Sequence, residues 1–538
     1  MGKARLVLAC LVWLVLLTIG ALLYKWLIVP AKQEQQAAAE QELVEATSGN
    51  STYRHHLRLG LDAFSGYAVL RSDQFRQQLR GQGIKLDCID DAADYRGRLQ
   101  ALADGKLQLA AFPIDALLKS SAAQGGLPAT IIALIDETRG ADAVVAYRQR
   151  FPNIDALNAP DTRFVLVGDS PSETLVRLLM RSFQLPALSP QAIVRVESED
   201  QVLERYRRAA PAGPEVFVTW EPVVSHMLEN DQMHVLFDSS QQSGIIVDAL
   251  IVSRDFLVKN EPVVRQVLES YFRALYALQE PSEMKRLVAE DARAAGVELK
   301  PEQVERLVDG IWWKNTQENY AHFGLRSSSL PYIEDMIDRI RRLLEETGGL
   351  ERDPTGGVPS RLFFEKPLAQ MHAAGFHPGL RPEQIREDAP LPELSDAQWE
   401  KLIPVGTVDV PPLVYARGTA RLTEASRQKL DELVETLKSF PTFYLMIRGH
   451  ASDRGDPEIN RRLAQQRAEA ARDYLLEQGI PAARMRAMPG EITGQTTVTF
   501  VLGQPPFLSR RGSSLRLHPR WSRLRRQGSR IPPEGEFT

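Results

Sequence analysis

Asn460 and Arg467 are the pair that most sharply suggests recognition of a ligand. They lie seven residues apart in a helical pattern, two turns, and so share one helix face. The loop Gly449–Gly455 precedes that helix at the end where backbone N–H groups point outward. A guanidinium fork with N–H donors holds carboxylates. A second set follows the apolar run Arg163–Gly168. There Ser170 reads as a helix cap, Pro171 as a first-turn proline and Glu173 as the acid of a capping box. A helix N-terminus after a strand is a ready anion site, with Ser170 and Ser172 as side-chain donors. Asp169 and Glu173 weaken the potential there for an anion, and an ordinary cap without ligand is the competing reading.

Other chemistry is scarce. The two cysteines, Cys10 and Cys88, allow neither a disulfide framework nor a cysteine metal site, because Cys10 sits in an apolar run. His55-His56 is only a pair, at the start of a predicted strand. No nucleophile–base–orienter set and no metal-ligand cluster is legible, so no enzyme, cofactor or metal is expected. The net charge of −4 argues against nucleic acid as a partner.

The elements that position these residues come in three blocks. From Tyr53, short apolar strands alternate with amphipathic helices: strands at 56–64, 84–89, 107–112, 130–135, 143–147, 163–168, 192–196, 215–220 and 245–253, with helices at 73–80 and 95–105. This alternation predicts an α/β architecture with largely parallel sheets. Residues 260–375 read as nearly all helical, and 377–389 as a Pro- and charge-rich connection. A small unit follows. Leu413–Arg417 is a candidate strand, and Thr423 caps a helix whose inward face is Leu430, Leu433, Val434 and Leu437. A strand through Phe443, Leu445 and Ile447, a helix from about Glu458 to Gln478 and strands at 485–488 and 496–502 complete a βαβαβ unit.

The ends differ from the middle. Leu6–Leu23 is uncharged and mostly apolar and continues to Val29, long enough to span a bilayer. Lys3 and Arg5 precede it, which leaves a short cytoplasmic N-terminus. A cleaved signal peptide is the competing reading; the run is long for that. Residues 30–52 form a polar stalk, and the Arg-rich tail 508–538 lacks apolar periodicity and reads as disordered.

Two resemblances organise these blocks. RGHASDRGDPEINRRLAQQRAEAARDYLLEQGI (448–480) resembles the peptidoglycan-binding signature of the OmpA C-terminal family, which reads G-H-T-D-x-x-G, then N, then L-S-x-x-R-A. Gly449, His450, Gly455, Asn460, Leu463, Arg467 and Ala468 match in register. The resemblance implies that Arg467 binds the stem peptide, with Asn460 and Leu463 beside it. The family's binding Asp falls on Ser452, so either Asp453 swings into that role or Ser452 offers a weaker hydrogen bond. The family's late N-R-R-V arginines are absent from 493–501.

The larger region resembles type II periplasmic solute-binding proteins of the nitrate/sulfonate/taurine kind. The resemblance is carried by LRLGLDAFSGYAVLRS (57–72), ALADGKLQLAAFPIDALL (101–118), IIALIDETRGADAVVA (131–146), VTWEPVVS (218–225), GIIVDALIVSRDFL (244–257) and GIWWKNTQENYAHFG (310–324). It implies ligand contacts from Phe64, Ser65, Gly66 and Tyr67, from Asp136, from Ser170 and Ser172, from Thr219, Trp220 and Glu221, and from Asp248. The acids Asp136, Glu221 and Asp248 suit a cationic, zwitterionic or hydroxyl-bearing solute better than a simple oxyanion.

The expected whole is an α/β chain with a two-lobed type II periplasmic-binding-protein fold, a small βαβαβ OmpA-like domain and one N-terminal transmembrane helix. Its expected divisions are 1–29 anchor, 30–52 stalk, 53–375 solute-binding domain with lobe two about 141–244, 376–398 linker, 399–503 OmpA-like domain and 504–538 basic tail. The expected function is an inner-membrane, single-pass periplasmic protein that binds a small-molecule solute and the peptidoglycan stem peptide. An ABC permease or an envelope complex is the expected further partner. The alternative is an envelope scaffold whose two-lobed domain binds a protein. A proton-conducting stator is disfavoured because Leu6–Leu23 carries no acid.

Overall fold

The computed structural model describes residues 53–386, 390–493 and 497–506. The expected anchor, stalk and tail lie outside them. Among the described residues no helix is long and apolar enough to cross a membrane. Among the described residues, 53–57 with 79–86 fall in one compact unit, and 58–78 with those from 87 onward in the other.

Lobe one begins with β1 (His55–Leu61), β2 (Ile84–Asp90), β3 (Leu109–Pro113) and β4 (Ala129–Thr138), with α1 (Asp73–Gly81), α2 (Tyr95–Ala103) and α3 (Ile114–Gln124) between them. The chain then crosses to lobe two, which holds β5 (Asp142–Tyr147), β6 (Arg163–Val167), α4 (Pro171–Ser182), β7 (Ile193–Val196), α5 (Glu199–Arg208), β8 (Glu215–Trp220) and β9 (Met233–Asp238). It returns through β10 (Val247–Ser253) into α6 (Arg254–Ala277), α7 (Pro281–Ala294), α8 (Pro301–Asp309), β11 (Ile311–Trp313), α9 (Thr316–His322), α10 (Ile333–Glu346) and α11 (Lys366–Ala373).

The six-stranded sheet of lobe one has the order β11-β4-β10-β3-β1-β2, and the five-stranded sheet of lobe two β7-β6-β8-β5-β9. All residues of β4 and β10 are buried, which is why both read as continuous apolar runs. The sheets are mixed rather than largely parallel. β1–β3, β6–β7 and β6–β8 run parallel, whereas β10 is antiparallel to both β3 and β4, and β5 to both β8 and β9. The cause is the double crossing: β5 and β10 each enter a sheet from the other lobe and run against its βαβ strands. The strand β11 inside the expected helical block is three residues long and pairs with β4.

The C-terminal domain comprises β12 (Ile403–Thr407), α12 (Glu424–Lys438), β13 (Tyr444–Ser452), α13 (Pro457–Glu477), β14 (Met485–Thr493) and β15 (Thr497–Gln504), in the sheet order β12-β15-β13-β14. Thr423 caps α12 by accepting from Ser426 N, and Leu430, Leu433, Val434 and Leu437 are its buried face, as the spacing predicts. The first strand is 403–407, not Leu413–Arg417. The latter contributes only an isolated bridge, Tyr415–Leu422. At Gly449 an added Cβ would meet the backbone oxygen of Ala464 at 2.2 Å, so α13 rests directly on β13 there. The small residues Ala464, Ala468 and Ala471 form the buried face of α13 that permits this approach.

The C-terminal domain is seated on lobe two. Phe183 follows α4 and packs on Phe237 of β9 and on Phe440, all three ring pairs having centroids 6.0 Å apart. Val405, Val408, Val410 and Leu413 join the same apolar core. Backbone bonds fasten it: Gln184 N donates to Thr407 O at 2.9 Å, and Asp409 N to Ser182 O at 2.8 Å. Asp155 Oδ1 accepts from Thr407 N at 2.9 Å. The opposite face of the C-terminal sheet is covered by Leu394, Trp399 and Leu402, with Tyr444 Oη donating to Pro392 O at 2.7 Å. The described part of the expected linker is therefore attached at both ends. Arg386 N donates to Glu318 Oε1 at 2.9 Å, and Glu383 Oε1 accepts from Thr316 Oγ1 at 2.9 Å.

Candidate functional site

Between the lobes lies a cavity of about 20 Å³, lined by Asp62, Phe64, Tyr67, Tyr95, Pro113, Thr138, Asp142, Pro171, Trp220, Ile246 and Asp248. That is room for one water-sized group, so the cleft is closed. Each lining residue stands at the end of an element. Asp62 and Phe64 follow β1, Tyr95 opens α2, Pro113 ends β3, and Thr138 and Asp142 flank the first crossing. Ile246 and Asp248 flank the second, Pro171 opens α4, and Trp220 ends β8.

Of the residues expected to touch a ligand, Phe64, Tyr67, Trp220 and Asp248 line the cavity. Phe64 and Tyr67 meet edge to face at 5.3 Å. Tyr67 Oη donates to Asp248 Oδ1 at 2.5 Å. Asp136 lies directly across the β4–β10 ladder from Asp248. Gly66 backs onto Asp136, whose Oδ2 would lie 2.4 Å from an added Cβ, and its carbonyl accepts from Trp313 Nε1 at 2.8 Å. Ser65 is buried in the turn after β1 and is not among the lining residues. Thr219 Oγ1 donates to Glu199 Oε1 at 3.2 Å, and Glu221 Oε2 accepts from Ser225 N at 2.9 Å, so both serve lobe two's own structure.

The expected capping box at α4 does not form. The Ser170 hydroxyl turns back to Val167 O at 2.7 Å, and Glu173 Oε2 accepts from Asp169 N at 3.2 Å rather than from the cap residue. Glu173 is drawn away by Arg177 and Arg195, both within 2.7 Å of its Oε1. The first turn of α4 meets a carboxylate of the chain itself. Thr174 Oγ1 donates to Asp115 Oδ2 at 2.5 Å, and Lys119 Nζ reaches Asp115 at 3.0 Å and Ser170 O at 3.2 Å. These contacts join α3 of lobe one to α4 of lobe two. On the outside, Arg96 pairs with Asp169 at 2.7 Å.

The electrostatics are one-sided. Arg98 is fully buried and binds Asp62 at 2.9 Å and Asp91 at 2.5 Å, with its guanidinium over Tyr95 and Phe112. Lys314 is held by Glu137 at 2.7 Å. Burial pushes the Asp142 carboxyl up to about 7. It raises Asp136 and Asp248 too, and the mutual repulsion of this facing pair raises Asp248 further. Among the described residues, Asp136 has no hydrogen-bond partner other than Asp248. Such a pair settles by holding a proton between its members. The residues that sequence reasoning missed are Asp62, Tyr95, Pro113, Thr138, Asp142, Pro171 and Ile246. Thr138 and Asp142 bracket the Arg-Gly-Ala crossing after an apolar strand, which is the signal that could have found them.

In the C-terminal domain β13 extends through Gly449–Ser452, which the sequence reading placed in a loop. Asn460 Nδ2 donates to Ser452 O at 3.1 Å and Arg454 O at 2.7 Å, so it braces the loop over the N-terminus of α13. Arg467 lies over the Tyr415 ring at 4.8 Å and donates from Nε to Thr419 O at 3.1 Å. Leu463 is half-buried between them, Ser452 is half-buried, and Asp453 is exposed. His450 accepts at Nδ1 from Glu491 N and meets Thr499 Oγ1 at 2.8 Å through Nε2, the packing role its position suggests.

Residues 414–498 match the OmpA family. The peptidoglycan-associated lipoprotein of Brucella melitensis biotype 1 is 36% identical over 83 residues, 15% of this chain and 49% of the relative. That of Rhizobium meliloti is 42% identical over 59 residues, 11% of this chain and 34% of the relative. The chain thus spans half or less of the length of these curated relatives. Among solved structures, the alkanesulfonate-binding protein of Xanthomonas axonopodis pv. citri, bound to MOPS, aligns over 58% of this chain and 99% of its own. Its identity is 16% and its TM-score 0.45. The periplasmic nitrate-binding protein of Synechocystis PCC 6803 aligns over 57% and 92%, with 14% identity and a TM-score of 0.36. The chain therefore carries an OmpA domain with peptidoglycan-associated-lipoprotein relatives, and the structural neighbours of its two-lobed part are periplasmic binding proteins.

Proposed function

We propose that this protein is a cell-envelope solute receptor: a two-lobed binding module held at the wall by its OmpA domain and at the inner membrane by the apolar segment 6–29. The observation that carries the reading is the cleft. Its lining comes from both lobes and both crossings, so anything seated there closes one lobe on the other. Phe64, Tyr67, Trp220 and Asp248 supply direct contacts, with Asp136 behind them. Ser65, Gly66, Ser170, Ser172, Thr219 and Glu221 hold the surrounding turns. At the wall, Arg467 and Asn460 with Ser452, Asp453 and Leu463 receive the stem peptide. An ABC permease is the partner that a transport role requires, and a sensing role needs none.

The test is thermal unfolding of the purified full chain against a broad metabolite library. A solute that binds only the folded state raises the midpoint. Silence across the library removes the solute reading. One observation favours a second reading, an envelope scaffold whose two-lobed part grips a protein segment: the closed cavity is only about 20 Å³. Co-purification of an envelope protein, lost on cleft substitution, would select it.

A further inference from the structure

The closed cleft holds more carboxyl groups than bases to match them. Arg98 serves Asp62 and Asp91, Lys119 serves Asp115, and Lys314 and Arg139 both serve Glu137. Asp136, Asp142 and Asp248 have no basic side chain bonded to them among these. Thr138 lines the cavity at 3% exposure beside Asp142, its neighbouring carboxyl partner. Asp136, at 0% exposure, has no partner beyond the proton it shares with Asp248. Buried acceptors of this kind normally have donors. The place where an anion would sit, the first turn of α4, already receives Asp115. The remaining wall is aromatic: Phe64, Tyr67, Tyr95 and Trp220.

We propose that the cleft takes a small organic ammonium compound, its positive head between Asp142, Asp248 and Thr138 and its carbon skeleton against the aromatic side chains. This rests on the solute-receptor reading and names its ligand class. An ammonium head is the size of a water, which is what the closed cavity admits. It supplies the positive charge and N–H donors that no basic side chain brings to Asp142 and Asp248, and the aromatic faces attract its charge. A metal ion fits less well, because no group of three metal-ligating side chains occurs among the described residues. The body of the ligand needs the lobes to open, which breaks the Thr174–Asp115 and Arg96–Asp169 contacts between them. On binding, the ammonium takes the place of the proton held by Asp136 and Asp248, so binding releases a proton.

The test uses the full chain with ethylammonium chloride, propylammonium chloride and putrescine. Sodium chloride of equal ionic strength, sodium ethanesulfonate and ethanol are the controls. The expected result is a rise of roughly 2–4 °C in the unfolding midpoint with at least one ammonium probe and none with the controls. The Asp142→Asn chain is expected to fold with a midpoint no lower than that of the parent and to lose the response. A shift with ethanesulfonate or ethanol but with no ammonium probe overturns the ligand class and leaves the receptor reading standing. An ammonium response that survives in both Asp142→Asn and Asp248→Asn places the cation elsewhere and overturns the site. No response to any ammonium probe overturns the proposal, while the receptor reading is decided separately by the metabolite library.

Discussion

Asp142 shows how a single carboxyl ties the cleft to pH. Its folded-state value, about 7, stands above the ordinary 3.8 because burial disfavours the charge. Between those values the folded chain binds more protons than the unfolded one, so stability falls as pH rises through this window and levels above it. The whole effect is about 4 kcal/mol at most. Asp142→Asn abolishes that component. The stability gap between variant and parent is therefore expected to be smallest near pH 4 and to widen up to about pH 7, which urea unfolding at a series of pH values measures. A gap independent of pH would show that Asp142 is not a buried acid. At the proposed wall-binding face, Arg467→Ala removes both the guanidinium and its stacking on Tyr415. Retention of the full chain by purified sacculi is expected to drop about tenfold or more, consistent with loss of a charge-assisted contact of roughly 1.5–3 kcal/mol. Equal retention would place the wall contact elsewhere.

At the scale of elements, close approach governs the C-terminal domain. Gly449→Ala would drive a methyl into the backbone of Ala464, and neither β13 nor α13 can yield as a side chain would. A loss of about 1–3 kcal/mol is expected in chemical denaturation. The sequence made this glycine visible through its match to the family signature, but not the reason for it, since helix–strand contact is a tertiary fact. The same division holds elsewhere. The strands at 130–135 and 245–253 were legible because burial on both faces leaves an unbroken apolar run. The helix face Leu430, Leu433, Val434 and Leu437 was legible because spacing alone reports it. β9, β11 and β12 were not: Met233–Asp238 mixes polar and apolar residues, Ile311–Trp313 is too short to show a period, and Ile403–Thr407 contains Pro and Gly. The direction of β5 and β10 was also hidden, because crossing between lobes leaves no local mark. In the cleft, aromatic and acidic residues after strands could be picked out by position. Thr138 and Asp142 matter only because the crossing folds them against the other lobe.

At the scale of the whole molecule, the seat of the C-terminal domain on lobe two makes the two one folding unit. Phe183→Ala empties the centre of the shared aromatic cluster and is expected to cost about 3–5 kcal/mol. Two unfolding transitions should then appear in calorimetry where the parent's lobe two and C-terminal domain melt together. A single transition with an unchanged midpoint would show that the contact is not cohesive. The same seat sets a path for mechanical load. The chain enters the fold through β1 in the sheet of lobe one, while the OmpA domain is fastened to lobe two through 405–413 and Phe440. A pull between the two ends of the chain therefore runs through the crossings at 138–142 and 238–247, the strands about which the lobes part. Under the proposed attachment to membrane and wall, tension would act as an opener of the cleft and an occupied cleft would resist it, so the distance between the two anchors and the occupancy of the site would become two readings of one hinge.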